Sequence, residues 1–171
     1  LVESDLLPLM QPYNRSPWHY AGTESVASFS DFPANATDWV LLELRDETDN
    51  SLIVAQQAAL LLADGTIVDA ATGGAVQFAG LAPANYYIIV RHHNHLDIIS
   101  SVPVAFINGA NYDFTSSMNQ AMGSNQLKLI DGKYMMIGGD FDSNGLFTVT
   151  DSNFYNTQAS LLNVYVDSDA N

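Results

Sequence analysis

Between Asp140 and Asp151 the chain reads Asp-Phe-Asp-Ser-Asn-Gly-Leu-Phe-Thr-Val-Thr-Asp, a run whose spacing leaves little choice of local fold. Oxygen-bearing side chains stand at positions 1, 3, 5, 9 and 12 of this run: Asp140, Asp142, Asn144, Thr148 and Asp151. Gly145 occupies position 6, where a chain wrapped around an ion must turn sharply, and the carbonyl of Leu146 falls at position 7. A hard, oxygen-seeking cation requires this order of donors. The run is therefore a candidate Ca2+ loop with ligands Asp140, Asp142, Asn144, Leu146, Thr148 and Asp151. The competing reading is a solvated turn of Asp, Asn and Gly. Against it stand the match at every diagnostic position and apolar Phe147 at position 8, where paired calcium loops place a short strand.

The segment after Asp151, Ser152 to Leu162, is expected to form a helix with Phe154, Tyr155, Leu161 and Leu162 available for a buried face. Position 12 is Asp, not the Glu of the usual EF-hand, so bidentate reach requires the exiting helix to sit closer. The residues before the loop, Met135 to Gly139, read as strand and turn rather than as an entering helix. A loop with Asp at position 12, one exiting helix and no entering one resembles the dockerin type of calcium repeat. Such modules carry two repeats, and Asp167, Asp169 and Asn171 offer positions 1, 3 and 5 of a second. Its glycine and its last carboxylate are not in the sequence, so the expectation is a fragment cut inside its second repeat. The resemblance implies Ca2+ as cofactor, bound within a segment spanning residues 138–171.

The charge is lopsided, 19 Asp and Glu against 5 Lys and Arg, for a net of −14. An acidic surface argues against nucleic acid and anionic membrane as partners. There is no cysteine, so metal rather than disulfide is the available staple in an extracellular setting. No apolar run reaches transmembrane length and no signal peptide is visible, which suits an extracellular or cell-surface fragment.

Residues 1–37 are rich in proline, serine and aromatics and are read as an ordered arm with one short strand, because Pro8, Pro12, Pro17 and Pro33 break any long helix. From Asp38 the pattern becomes short strands between turn residues: Trp39–Arg45, Leu52–Leu62 with a bulge or kink at Gln56-Gln57, Thr66–Asp69, Ala75–Phe78, Tyr86–His93, Asp97–Ile107 and Tyr112–Phe114. Asn108-Gly109 is a hairpin signal. Strands of this length and spacing predict an all-β fold, an antiparallel sandwich over residues 1–137. The stretch Val76 to Val90, with Phe78, Gly80-Leu81, Pro83 and Tyr86, resembles the corner of transthyretin-like and related Ig-like sandwich modules, with Ala84-Asn85 in place of the second glycine. It implies fold, not function. Taken with Leu7–Asn14, Asp38–Asp46, Ala59–Gly65 and Tyr87–His95, followed by the calcium repeat, the chain resembles an accessory module of large secreted or surface proteins of Bacteroidetes-type bacteria. The resemblance implies no catalytic role.

Three other groups merit attention. In Arg91-His-His-Asn-His95, strand alternation puts His93 and His95 on one face and His92 on the other, so two imidazoles could meet a transition metal or simply cap the sheet. Pro17-Trp-His-Tyr20 is either a sugar-binding platform or an aromatic plug for one end of the sandwich. Glu43 is the one acid well inside an expected strand, on the side of Trp39 and Leu41, and would be the acid to check in an enzyme. No Gly-x-Ser-x-Gly, catalytic Cys or phosphate loop is present. The reading is a non-catalytic calcium-binding module serving adhesion, scaffolding or protein–protein interaction, with a protein or a cell-surface glycan as partner and no membrane insertion. A carbohydrate-binding module and an accessory domain of a secreted hydrolase stand as alternatives.

Overall fold

A computed structural model of the chain describes residues 6–107, 109–158, 160–161 and 164–166. Asn108 of the expected hairpin, and Asp167, Asp169 and Asn171 of the expected second repeat, lie outside the described residues.

The fold is β-rich and antiparallel. Strand β1 (Ala36–Asp46) runs through the middle of a six-stranded sheet. On one side it pairs with β2 (Ile53–Leu62), which in turn pairs with the short β3 (Ile67–Val68). On the other it pairs with β4 (Asn85–His92), which is bordered by β5 (His95–Ile99) and β6 (Val104–Ala105). The outer strands β7 (Lys128–Ile130) and β8 (Lys133–Met135) form a separate hairpin. One helix, α1 (Val149–Gln158), follows.

The run Trp39-Val-Leu-Leu explains the centre. Neighbours in a strand point to opposite faces, so an uninterrupted apolar run suits a strand covered on both sides. Trp39 and Leu41 pack with Ala58, Leu60 and the arm residues Leu7, Tyr13, Val26 and Phe32. Val40 and Leu42 face the other way, onto Ala59, Val90, Ile98, Ala121 and Leu127. The second layer on that face is made of loops and the β7–β8 hairpin, whose Tyr134 packs against the cluster.

Before β1 begins at Ala36 the arm contributes no strand among the described residues, only a bridge between Met10 and Ser25. It is tied to the sheet by polar anchors instead: the Tyr13 hydroxyl donates to the Trp39 carbonyl at 2.7 Å, and the Trp39 indole donates to the Pro8 carbonyl at 2.9 Å. The bulge in β2 falls at Val54, where Leu44 opposes Ala55 but Arg45 opposes Ile53, not at Gln56-Gln57. Residues 75–78 and 112–114 are irregular rather than strands. The β7–β8 hairpin carries an Asp131-Gly132 signal of its own, with φ of +48° and +82° at the two positions. At the Ig-like corner the left-handed residue is Gly80, φ +72°, while Asn85 opens β4 and donates to Glu47 at 2.8 Å.

Much of the acidity serves turns. Asp46 Oδ1 accepts from the amides of Thr48 and Asp49 at 2.8 and 3.0 Å, and Asp49, Asp64 and Asp113 accept in the same way two residues ahead. These contacts hold the exposed carboxyls of Asp46, Asp49, Asp64 and Asp113 below the usual range.

Candidate metal centre

The loop from Asp140 closes on itself. Asp140 Oδ1 accepts from the Asn144 amide at 3.0 Å and Oδ2 from the Gly145 amide at 2.9 Å. Those bonds need the chain to reverse sharply, and Ser143 and Gly145 do so with φ of +54° and +81°. Asp142 accepts from the Asn144 amide at 3.2 Å, and Asn144 Oδ1 from the Leu146 amide at 2.8 Å. One carboxylate oxygen from each of Asp140, Asp142 and Asp151 lies within 4.8 Å of the others. Each retains acceptor capacity beyond its local bonds, as a cation site requires.

Asp151 reaches the loop because α1 begins at Val149, three residues before the expected start at Ser152. The cause is a capping box. The Thr148 hydroxyl accepts from the Thr150 amide at 3.1 Å, and Asp151 Oδ2 accepts back from the Thr148 amide at 2.8 Å. Asp151 Oδ1 also accepts from the Phe141 amide at 2.9 Å. Starting the helix inside the loop supplies the closer approach that the shorter Asp side chain needs. The Thr148 hydroxyl, at 3.1 Å, donates to Asp151, so Thr148 serves the cap and any ion contact at its position would pass through water. The expected apolar face of the helix does not form: Asp151 is the buried residue of α1, Tyr155 and Leu161 are exposed, and Leu162 lies outside the described residues. Tyr155 instead stacks on Phe141 at 5.7 Å.

The loop carboxylates feel one another's charge. Burial pushes the Asp140 carboxyl up, its two backbone bonds pull it down, and the charges of Asp151 and Asp142 push it up again, for a net rise. Burial also opposes the charge on Asp151, but its bonds to Thr148, Asp142 and Phe141 hold it below the usual range. A bound cation relieves the crowding of like charges.

The loop is docked on the β4–β5 turn. Gly138 bridges to His95, the Gly139 amide donates to the Asn94 carbonyl at 2.7 Å, and the Ser143 hydroxyl donates to the His93 carbonyl at 3.2 Å. Gly139 sits at φ +114°, and a Cβ there would lie 2.3 Å from the Phe147 ring.

That turn carries the histidines. Strand alternation ends at His92, because His93 and Asn94 form the turn itself. The pair that meets is therefore His92 and His93, not His93 and His95. Both present Nε2 to Asp38 Oδ2, at 3.2 and 3.0 Å. Tyr165 donates its hydroxyl to Asp38 Oδ1 at 2.7 Å, and the Trp39 amide donates to the same oxygen at 2.7 Å. Burial alone would raise Asp38, but the imidazoles outweigh it and hold the carboxyl well below the usual range. His95 lies beside this group, with Nδ1 2.6 Å from Asn94 Oδ1 and 3.1 Å from His92 Nδ1. Burial, then the neighbouring histidines, pull it down to about 4. Asp97 is paired with Arg91 and stands apart from the cluster.

Glu43 lies on the Trp39 and Leu41 side as expected, and it is neutralised. Arg45 donates through Nη2 and Nε at 2.6 and 3.0 Å, Gln56 at 2.8 Å, and Arg91 Nε lies 3.0 Å away. Burial pushes its carboxyl up; the two arginines more than reverse that. A general acid needs the opposite shift. Trp18 and Tyr20 are half-buried against the arm-side core, with Trp18 edge-on to Tyr13 at 5.0 Å, which favours the plug over the sugar platform. No helix of the described residues is long and apolar enough to cross a membrane.

Asp38 and Tyr165 escaped the sequence reading. They are 127 residues apart and no short motif joins them. The Thr-x-x-Asp cap was visible in the sequence as a helix start. Compared with known protein families, curated proteins and solved structures, the chain matches none.

Proposed function

We propose that the Asp140–Asp151 loop binds Ca2+ and that the protein is a non-catalytic calcium-binding module of a secreted or cell-surface protein. The observation that carries this is the convergence of three carboxylates, from Asp140, Asp142 and Asp151, at the mouth of a loop that turns at Gly145 and runs straight into a capped helix. That loop–helix form, entered from the β7–β8 hairpin rather than from a helix, supports the dockerin-like comparison. The Ig-like comparison rests on the corner before β4, where the Tyr86 hydroxyl donates to the Ala82 carbonyl at 2.9 Å. The module's role is scaffolding or adhesion, with a protein or a cell-surface glycan as partner.

Calcium orders a segment that buries little apolar surface by itself. At about a hundred times its dissociation constant a bound ion adds roughly 2.7 kcal/mol to the folded segment. The test is calorimetric titration with Ca2+, with thermal melts in the presence and absence of chelator. Saturable binding that is lost in Asp140→Ala, with the sheet still folded, supports the reading. Absence of binding by the wild type reduces the loop to an acidic turn and removes the dockerin comparison with it.

A further inference from the structure

The group around Asp38 is not used by the calcium reading, and it differs from the calcium loop in kind. Its members are buried: Asp38 is 7 % exposed, His92 6 % and His93 1 %. Its donors are imidazole nitrogens with one carboxylate oxygen, and they come from the start of β1 and from the β4–β5 turn. One donor atom from each of the three lies within 4.8 Å of the others, and both Nε2 atoms approach Asp38 Oδ2, at 3.2 and 3.0 Å.

We propose that Asp38, His92 and His93 bind a divalent transition-metal ion of the Zn2+ class through those three atoms, as a structural site distinct from the calcium loop. Four physical arguments carry it. The first is spacing. Bonds of about 2.0–2.1 Å arranged tetrahedrally put neighbouring donor atoms about 3.3 Å apart. The oxygen-to-nitrogen separations here, 3.2 and 3.0 Å, need only a small relaxation to admit the ion.

The second is charge. A buried carboxylate is costly without a positive partner. A dication supplies it. The third is the fate of His93. Hydrogen bonding to Asp38 leaves its Nδ1 buried with no hydrogen-bond partner among the described residues. The orphan persists when Nε2 binds a metal, and the stronger metal bond offsets its desolvation penalty better than one hydrogen bond does.

The fourth is support from outside the donor set. Trp39 and Tyr165 hold Asp38 Oδ1, which leaves Oδ2 aimed at the rings; a metal at His92 Nε2 puts the ring proton on Nδ1, facing His95 Nδ1 at 3.1 Å in place of the 3.4 Å bond from the Asn94 amide. Outer partners of this sort orient metal ligands. The His92 and His93 rings stack at 4.6 Å, and the Tyr165 ring lies 4.9 Å from His93, so aromatic rings pack around the donors. The fourth corner falls to a solvent oxygen. Imidazole selects zinc and its neighbours over calcium, so each site takes its own ion.

The experiment uses the full chain, stripped with chelator and then saturated with Ca2+, titrated with Zn2+ by calorimetry. X-ray absorption is recorded on the zinc-loaded wild type. The expected result is one Zn2+ per chain with two imidazole nitrogens in its shell. His93→Ala should weaken binding by more than the about 10–100-fold that loss of an outer partner costs. The proposal is overturned by a wild type that binds no Zn2+, by a shell of oxygens alone, or by unchanged binding in a folded His93→Ala. Absence of binding would leave a protonated or neutral histidine network around Asp38. Should His93→Ala fail to fold, the wild-type absorption spectrum still decides between imidazole and oxygen ligation.

Discussion

Asp151 and Asp142 are both expected calcium ligands, yet the structure gives them different hydrogen-bonding duties. Asp151 accepts from the Phe141 and Thr148 amides at 2.9 and 2.8 Å and from the Thr148 hydroxyl at 3.1 Å, and it sits in the first turn of α1. Asp142 accepts from one exposed amide, that of Asn144, at 3.2 Å. Removing a capping partner costs about 1 kcal/mol, and removing a negative charge from a helix N-terminus costs about 0.5 kcal/mol more. In chelator, Asp151→Ala should therefore shift the local opening of α1 by about 1.5 kcal/mol, roughly tenfold in exchange rate. Asp142→Ala should shift it by less than about 0.5 kcal/mol, the ordinary size of a surface change. On the proposed Ca2+ binding, both variants should also bind the ion more weakly. The assay is amide hydrogen exchange of residues 153–158, measured by NMR in chelator and again in Ca2+. If the two variants accelerate exchange equally in chelator, or if neither does, the capping argument fails.

Glu43→Ala leaves Arg45 and Arg91 without their shared carboxylate and should cost about 3 kcal/mol, the low end for a buried pair because Arg91 keeps a quarter of its surface; urea unfolding measures it. Burial first, then the charges of Glu43 and Asp140 against the pull of Arg91 and Arg45, leave Asp97 raised to about 6 from 3.8. Its contribution to stability is present below about pH 4 and is lost as pH rises through about 6, so the wild type should lose stability relative to Asp97→Asn across that window. Denaturant midpoints at four or more pH values across it check the sign, and parallel curves would refute it. Gly139→Ala sets a Cβ against Phe147 at a left-handed φ and should lower calcium affinity while the melt of the sheet stays in place.

The sheet was legible where physics is local. Apolar runs located β1, β2 and β4 to within about three residues, and acid-rich turns separated them as expected. Legibility failed where a contact crosses the chain. Trp39-Val-Leu-Leu identified a strand, but nothing in it says that an irregular arm and a set of loops would cover its two faces. The histidines were placed by alternation, which stops at a turn whose position depends on β5. Of the candidate ligands, Asp140, Asp142 and Asp151 come together; Asn144 Oδ1 also accepts from the Leu146 amide, and the Thr148 hydroxyl also serves the helix cap. The helix start was missed although Thr148 and Asp151 spell it, because the carboxylate had been given one role and has two.

The pairing of β2 has a consequence for the protein's neighbours. Among the described strands, only β3 borders its outer side, and only at Leu60 and Leu61. The rest of that margin carries exposed Ile53 and Val54 beside exposed Leu52. An apolar strand at the margin of a sheet is a template on which another molecule can add its own strand, the first step toward aggregation. The extra residue at Val54 bends and twists the margin at that point. The irregularity in register that looks like a fault in the sheet is thus what denies a second chain a straight edge to copy.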